Sequence, residues 1–157
     1  MTSADVRVLA PMTGRAFPLR DVPDPVFAGT LVGPGVAIDP TRGEPMIAVS
    51  PIAGTIVKLH PHAFVVQSAH GPAVLVHLGI DTVQLAGRGF ELLVSEGADI
   101  AAGAGIVVWD PAGIEAGGRS PVCPVVALDT DADALSDMRE TGDVSAGDLL
   151  FTWAGHP

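Results

Sequence analysis

Short runs rich in Val, Ile, Leu and Ala, rarely longer than eight residues, alternate along this chain with Gly and Pro. That spacing predicts an all-β fold built from brief strands and tight turns. The predicted strands are Arg7 to Leu9, Thr30 to Ile38, Met46 to Val49, Gly54 to Leu59, Ala63 to Gln67, Val74 to Leu78, Phe90 to Leu93, Ile106 to Trp109, Val122 to Ala127 and Leu149 to Trp153. Two short helical turns are expected as well. Pro25 to Ala28 follows Asp24, and Asp133 to Arg139 has the acidic start and basic end that suit the helix dipole.

Two internal repeats sharpen this pattern. Ala10-Pro11-Met12-Thr13-Gly14 recurs forty residues later as Ser50-Pro51-Ile52-Ala53-Gly54, each leading into an apolar run. A shift of forty-four residues lays Glu96, Asp99, Ile100, Ala102, Gly103 and Trp109 on Glu140, Asp143, Val144, Ala146, Gly147 and Trp153. The repeats predict two similar β units packed around a shared core, with edges that close on each other. No linker or low-complexity block divides the chain, so residues 1–157 are expected to form one domain with its core over about 6–153.

Composition narrows the function class. A formal net charge of −10 repels phosphate backbones and anionic headgroups, which argues against nucleic acid and lipid as partners. No apolar run approaches the roughly 20 residues that span a bilayer, and Met1 to Val8 lacks the pattern of a secretion signal, so the expected compartment is the cytoplasm, with no membrane insertion. The one cysteine, Cys123, sits in a Val-rich stretch and reads as a small core residue.

With five histidines and no tyrosine, imidazole dominates any proton or nucleophile chemistry near neutral pH. His156 reads as a solvated terminal residue, and His70, before Gly71-Pro72, as a turn residue. His62 and His77 differ, because the segment between them reads as a hairpin. A turn centred between Ala69 and His70 sets them opposite one another, on one face with Cβ atoms about 4.5 to 5.5 Å apart, and a bulge at Gly71 would slip that register by one residue. Three chemistries fit such a pair. His60-Pro61-His62 with His77 and Asp81 could hold zinc; one imidazole could act as a base, although no Gly-x-Ser-x-Gly nucleophile element accompanies it. The third is transfer of a phosphoryl group to one ring while the other donates a hydrogen bond to the phosphoryl oxygens.

The run from Val74 through His77-Leu78-Gly79-Ile80-Asp81-Thr82-Val83-Gln84-Leu85, continuing through Gly87-Arg88-Gly89-Phe90, resembles the active-site segment of the glucose family of enzyme IIA proteins of the phosphoenolpyruvate-dependent sugar phosphotransferase system. The same pattern is visible in Ala10 to Gly14, Asp21 to Ala28, Gly33 to Ile38, Ser50 to Ile56, His62-Ala63-Phe64 and Pro124-Val125-Val126, so the resemblance covers roughly residues 6 to 153. It implies an antiparallel β-sandwich in which His77 carries the phosphoryl group and His62 contacts that group without being phosphorylated. It also implies two partners: HPr as donor, and as acceptor the IIB domain of a sugar permease of glucose or N-acetylglucosamine type. Asp24 and Asp81 match acidic positions around the family's docking depression. Val26, Phe27 and Val83 match its apolar face, and with Leu78 they would form a collar that excludes water. No cofactor and no metal are implied.

The chain departs from the family pattern at Leu59-His60-Pro61, where a polar stretch that usually includes a threonine precedes the second histidine, and at Leu78, where phenylalanine is usual. It is expected to be free-standing and without a membrane tether. Two rivals remain: a zinc hydrolase of the lysostaphin type, using His60, His62, His77 and Asp81, and a carrier of the biotinyl or lipoyl type, with Lys58 as attachment point.

Overall fold

A computed structural model describes residues 5–69 and 71–154, so His70 and His156 lie outside the described residues. The described strands are β1 (Val6–Leu9), β2 (Gly14–Pro18), β3 (Gly35–Pro40), β4 (Met46–Val49), β5 (Gly54–His60), β6 (Ala63–Gln67), β7 (Ala73–His77), β8 (Phe90–Leu92), β9 (Asp99–Ile100), β10 (Gly105–Trp109), β11 (Cys123–Ala127), β12 (Leu135–Ser136), β13 (Asp143–Val144) and β14 (Leu149–Trp153). Helix α1 spans Pro25–Ala28 and α2 spans Pro111–Ala116. Every pairing is antiparallel. One sheet runs β13-β2-β3-β11-β7-β6-β5-β9, and two three-stranded sheets, β1-β14-β12 and β4-β10-β8, complete the sandwich. No helix among the described residues is long and apolar enough to cross a membrane.

The repeats are the trace of an approximate two-fold relation. Gly14 pairs with Val144 where Gly54 pairs with Ile100, and Val6 pairs with Trp153 where Met46 pairs with Trp109. The links between the halves repeat too: Leu9 N donates to Pro51 O at 2.9 Å, and Val49 N donates to Pro11 O at 2.8 Å. One unit is contiguous, β4 to β10. The other is split, β1 to β3 and β11 to β14, so the contiguous unit sits inside the split one along the chain and shares its core.

Strand alternation divides the core into two layers. Val74 and Val76 of β7 point inward to join Val8, Ile56, Phe64, Ile106, Trp109, Val125, Phe151 and Trp153, all at most 2% exposed. Leu75 points to the opposite face of the sheet. There a second cluster forms, because the segment from Leu19 to Phe27 lies across the sheet and buries Leu19, Val22 and Phe27 with Ala37, Ile80 and Val126. This outer layer is what builds the site. Cys123 is fully buried, as its surroundings predicted, and burial pushes its thiol pKa up.

Two expectations about elements are corrected. The strand expected from Thr30 begins only at Gly35, since Thr30 N and Leu31 N donate back to Phe27 O and Val26 O and continue the α1 turn. The helix expected over Asp133 to Arg139 is absent: the Asp131 side chain accepts from Asp133 N, a 3-10 turn covers Ala132–Ala134, and Leu135 enters β12 beside Trp153. Asp137, with φ of 54°, stops any continuation. Helix α2 and strands β2, β9, β12 and β13 were not expected. The Asp110-Pro111 signal of α2 repeats the Asp24-Pro25 signal of α1.

Candidate functional site

Two backbone features bring the reactive side chains together. Alternation along β7 sets His77 on the same face as Leu75, beneath the outer layer, and the chain then turns sharply. In that turn Gly79 takes φ of 84° and Asp81 φ of 60°. Thr82, 1% exposed, closes it by donating from Oγ1 to Leu78 O at 2.7 Å, and Ile80 N donates to Ser120 O at 2.9 Å. So braced, Gly79 O meets His77 Nδ1 at 2.5 Å. A carbonyl only accepts, so Nδ1 carries the proton and the Nε2 lone pair is left free.

Helix α1 supplies the wall. The Asp24 carboxylate caps it by accepting from Val26 N at 2.8 Å, Pro25 occupies the first helical position, and Phe27 turns inward with its ring 5.2 Å from that of His77 at 57°. On the other side His62 stands edge-on to His77, ring centroids 5.2 Å apart at 71°.

The two imidazoles meet as expected, but by a different route. His77 pairs with Ala63, not with His62, because the register of β6 and β7 is slipped by one residue. His62 lies in the two-residue loop between β5 and β6, and its carbonyl accepts from Leu78 N at 2.7 Å. Off the strand, its side chain is released from alternation and swings to the His77 face. His60, at the end of β5, stacks behind it at 5.7 Å and 23°. Phe27, His77, His62 and His60 thus form a row of four rings.

Burial sets the protonation states. His77 binds its proton less tightly than an ordinary imidazole because it is desolvated, an effect that the Gly79 carbonyl and the carboxylates of Asp24 and Asp81 partly oppose. His62 is lowered too, by burial first and then by the neighbouring charges of His77 and His60. Both rings are therefore neutral near pH 7. A neutral ring with a free Nε2, beside a neutral ring with an N–H to offer, is suited to accept an electrophilic phosphoryl group.

The residues expected around the site divide. Val26, 44% exposed, and Val83, 60% exposed, do present apolar surface, and Asp81 is exposed. Phe27 is 8% exposed and forms the wall of the site more than its surface. Leu78 is corrected: at 0% exposure it points into the core, because it is out of phase with His77 on the strand, and it lines no docking face. Leu31, 78% exposed at the end of the α1 turn, is apolar surface that the strand expectation hid. Gly79, Thr82 and Ser120 were also missed as parts of the site. Gly-Ile-Asp-Thr after the histidine was the available signal, since a glycine there permits the positive φ that aims its carbonyl back. Among the described residues no group of three or more His, Cys, Asp or Glu stands in position to hold a metal ion, so the zinc alternative has no support.

Comparison with known proteins agrees with this geometry. The family described as phosphoenolpyruvate-dependent sugar phosphotransferase system, EIIA 1, matches residues 6–133. The glucose-specific EIIA component of Bacillus cereus is 42% identical over 141 residues, covering 88% of this chain and 82% of that protein. That of Staphylococcus aureus is 38% identical over 146 residues, 92% of this chain and 86% of its own. The solved structure of glucose permease IIA from Mycoplasma capricolum superposes with a TM-score of 0.87 at 31% identity, covering 95% of this chain and 96% of that one. This chain belongs to the EIIA family of the phosphoenolpyruvate-dependent sugar phosphotransferase system, and it is a phosphoryl carrier of that system.

Proposed function

We propose that the carrier step runs through a phosphohistidine at His77 Nε2, with phosphorylated HPr as donor and the IIB domain of a glucose-type sugar permease as acceptor. One observation carries this reading: the Gly79 carbonyl holds the proton on His77 Nδ1, leaving the nucleophilic nitrogen open beside a second neutral imidazole. The Nε2 lone pair forms a bond to phosphorus while the bond from phosphorus to HPr breaks, and its electron pair returns to HPr. Positive charge develops on the His77 ring as Nε2 is phosphorylated. The Nδ1–H···O contact then becomes charge-assisted, and Asp24 and Asp81 favour the same change. His62 donates to the phosphoryl oxygens. Residues 1–157 act as one phosphotransferase domain, in the cytoplasm, where phosphoenolpyruvate is found.

The test is incubation with phosphoenolpyruvate, enzyme I and HPr, followed by intact mass. One added phosphoryl group, lost in acid and stable in base as a phosphoramidate is, supports the reading; an unmodified mass, or an acid-stable product, refutes it.

The role of His62 is separable. His62→Gln is expected to accept the phosphoryl group from HPr but to pass it to IIB about 100-fold more slowly, the low end of what positioned proton donors contribute, since an amide cannot change protonation as charge moves. Onward rates are read by rapid quench. Equal rates in variant and parent would remove His62 from the chemistry.

Docking is expected to depend more on the apolar face than on the acidic rim. Asp24→Asn and Asp81→Asn each remove a rim charge worth about 1 kcal/mol or less, so they should slow association and flatten its salt dependence. Phe27→Glu would set an unpaired carboxylate against the His77 ring and the buried outer layer and weaken HPr binding by about 100-fold or more. Titration of HPr at low and high salt separates the two. Normal binding by Phe27→Glu, with failure of Asp24→Asn at both salts, would reverse the picture.

A further inference from the structure

His62 has no hydrogen bond to its ring among the described residues, so ring packing alone orients it. One contact is the edge-on approach to His77. The other is the near-parallel stack on His60, 5.7 Å between centroids at 23°. His60 is itself an exposed side chain, but its backbone is held firmly. It pairs with Ala63 across the two-residue loop, and the preceding residue, Leu59, donates from its backbone N to Glu96 Oε1 at 2.9 Å. Within the loop, Pro61 has a ring-locked φ and packs on the Gly87 turn, where an added Cβ would come 3.4 Å from Pro61 Cγ. A pinned loop carrying two stacked imidazoles is a plate behind the phosphoryl site.

We propose that His60 is a positioning residue for phosphoryl transfer: stacked behind His62, it holds that imidazole edge-on to His77 and in line to meet the phosphoryl oxygens. This rests on the roles proposed above for His77 and His62. The stack also explains how this chain orients His62 with Leu59-His60-Pro61 in front of it. What it needs from His60 is a flat ring, not a proton, so an aromatic without nitrogen should serve.

The experiment compares His60→Ala and His60→Phe with the parent chain. His60→Ala is expected to slow onward transfer to IIB by about two- to tenfold, the span of one aromatic pair, with KM for the partner unchanged and the His62 ring-proton resonances shifted by loss of the stacked ring's current. His60→Phe is expected to stay within about twofold of the parent rate and to keep His62 ring shifts of the stacked kind. In a His62→Gln background, His60→Ala should add no further loss, because it acts through His62. Parent rates and parent His62 shifts in His60→Ala would overturn the proposal, as would equal slowing in His60→Phe or an additive loss in the double variant. Failure of the parent chain to become phosphorylated would instead overturn the reading on which it rests, and the parent control shows which of the two has failed.

Discussion

His77→Gln is expected to accept no detectable phosphoryl group while remaining folded. Glutamine has no nucleophilic nitrogen, so the loss is of the reaction itself and not of a fraction of its rate. The fold should survive because the strand bonds of β7 are made by its backbone, and the imidazole contributes ring contacts with Phe27 and His62 and one bond to Gly79. A stability change of about 1 kcal/mol or less is expected. Label uptake from phospho-HPr and denaturant midpoints check the two halves, and normal uptake would remove His77 as the acceptor.

The same variant has a signature in pH. His77 and His62 bind protons less tightly when folded than at the ordinary value of 6.5, so below that pH the unfolded chain holds more protons than the folded one. Stability contributed by the neutral rings is present above about pH 6.5 and is lost as the pH falls through the lower folded values. Removing His77 removes its share, so the fall in stability between about pH 7 and pH 5 should be shallower in His77→Gln than in the parent. An identical slope would mean that His77 is not held neutral by burial.

Gly79→Ala is expected to damage the site severely without touching a reacting atom. At φ of 84° an L-residue is strained by about 1 to 2 kcal/mol. The added Cβ would also lie 2.5 Å from Thr82 Cγ2 and 3.0 Å from Ser120 O. The turn must shift, and its carbonyl leaves His77 Nδ1. Once that proton is free to reside on Nε2, the nucleophilic lone pair is partly occupied, and acceptance should fall by about 10- to 100-fold, consistent with a misplaced reactive group. Stability should fall by about 2 to 3 kcal/mol from strain and contact together. Nitrogen chemical shifts of His77 read the tautomer directly. Thr82→Ser, which keeps the hydroxyl and deletes Cγ2, should restore part of the stability in the double variant but little of the rate, since the strained φ remains. A Gly79→Ala chain with the parent rate and an unchanged Nδ1–H tautomer would show that the carbonyl does not select the nucleophile.

Much of this architecture was legible in the chain because it is written in local chemistry. A strand with one buried face alternates with period two, and Gly, Pro and Asp mark turns wherever they fall, so β4, β6 and β14 match their expected limits. The Asp24-Pro25 cap of α1 is a contact between near neighbours and was readable for the same reason. The repeats at Gly14 and Gly54 pointed to two like units because the two edges they lead into pair in the same way, Gly14 with Val144 and Gly54 with Ile100.

What only the tertiary structure decided is non-local. Whether His62 opposes His77 depends on a one-residue register, which turns on how the Ser68 to Pro72 connection closes; that His62 still reaches His77 depends on the β5–β6 loop freeing it from its strand. Leu78 and His77 are adjacent in the chain, yet one is buried in the core and the other faces the site, because the sheet assigns successive residues to opposite faces and only the packed sandwich says which face is which. Leu135 looked helical in its own segment, but the neighbouring Trp153 strand bonds to it more effectively than a short helix with an Asp at positive φ could. The proton on His77 is the furthest of these from the sequence: it is held by a carbonyl whose direction depends on a buried Thr82 hydroxyl and on Ser120, almost forty residues downstream, and backbone groups carry no residue-type signal until the chain is folded around them.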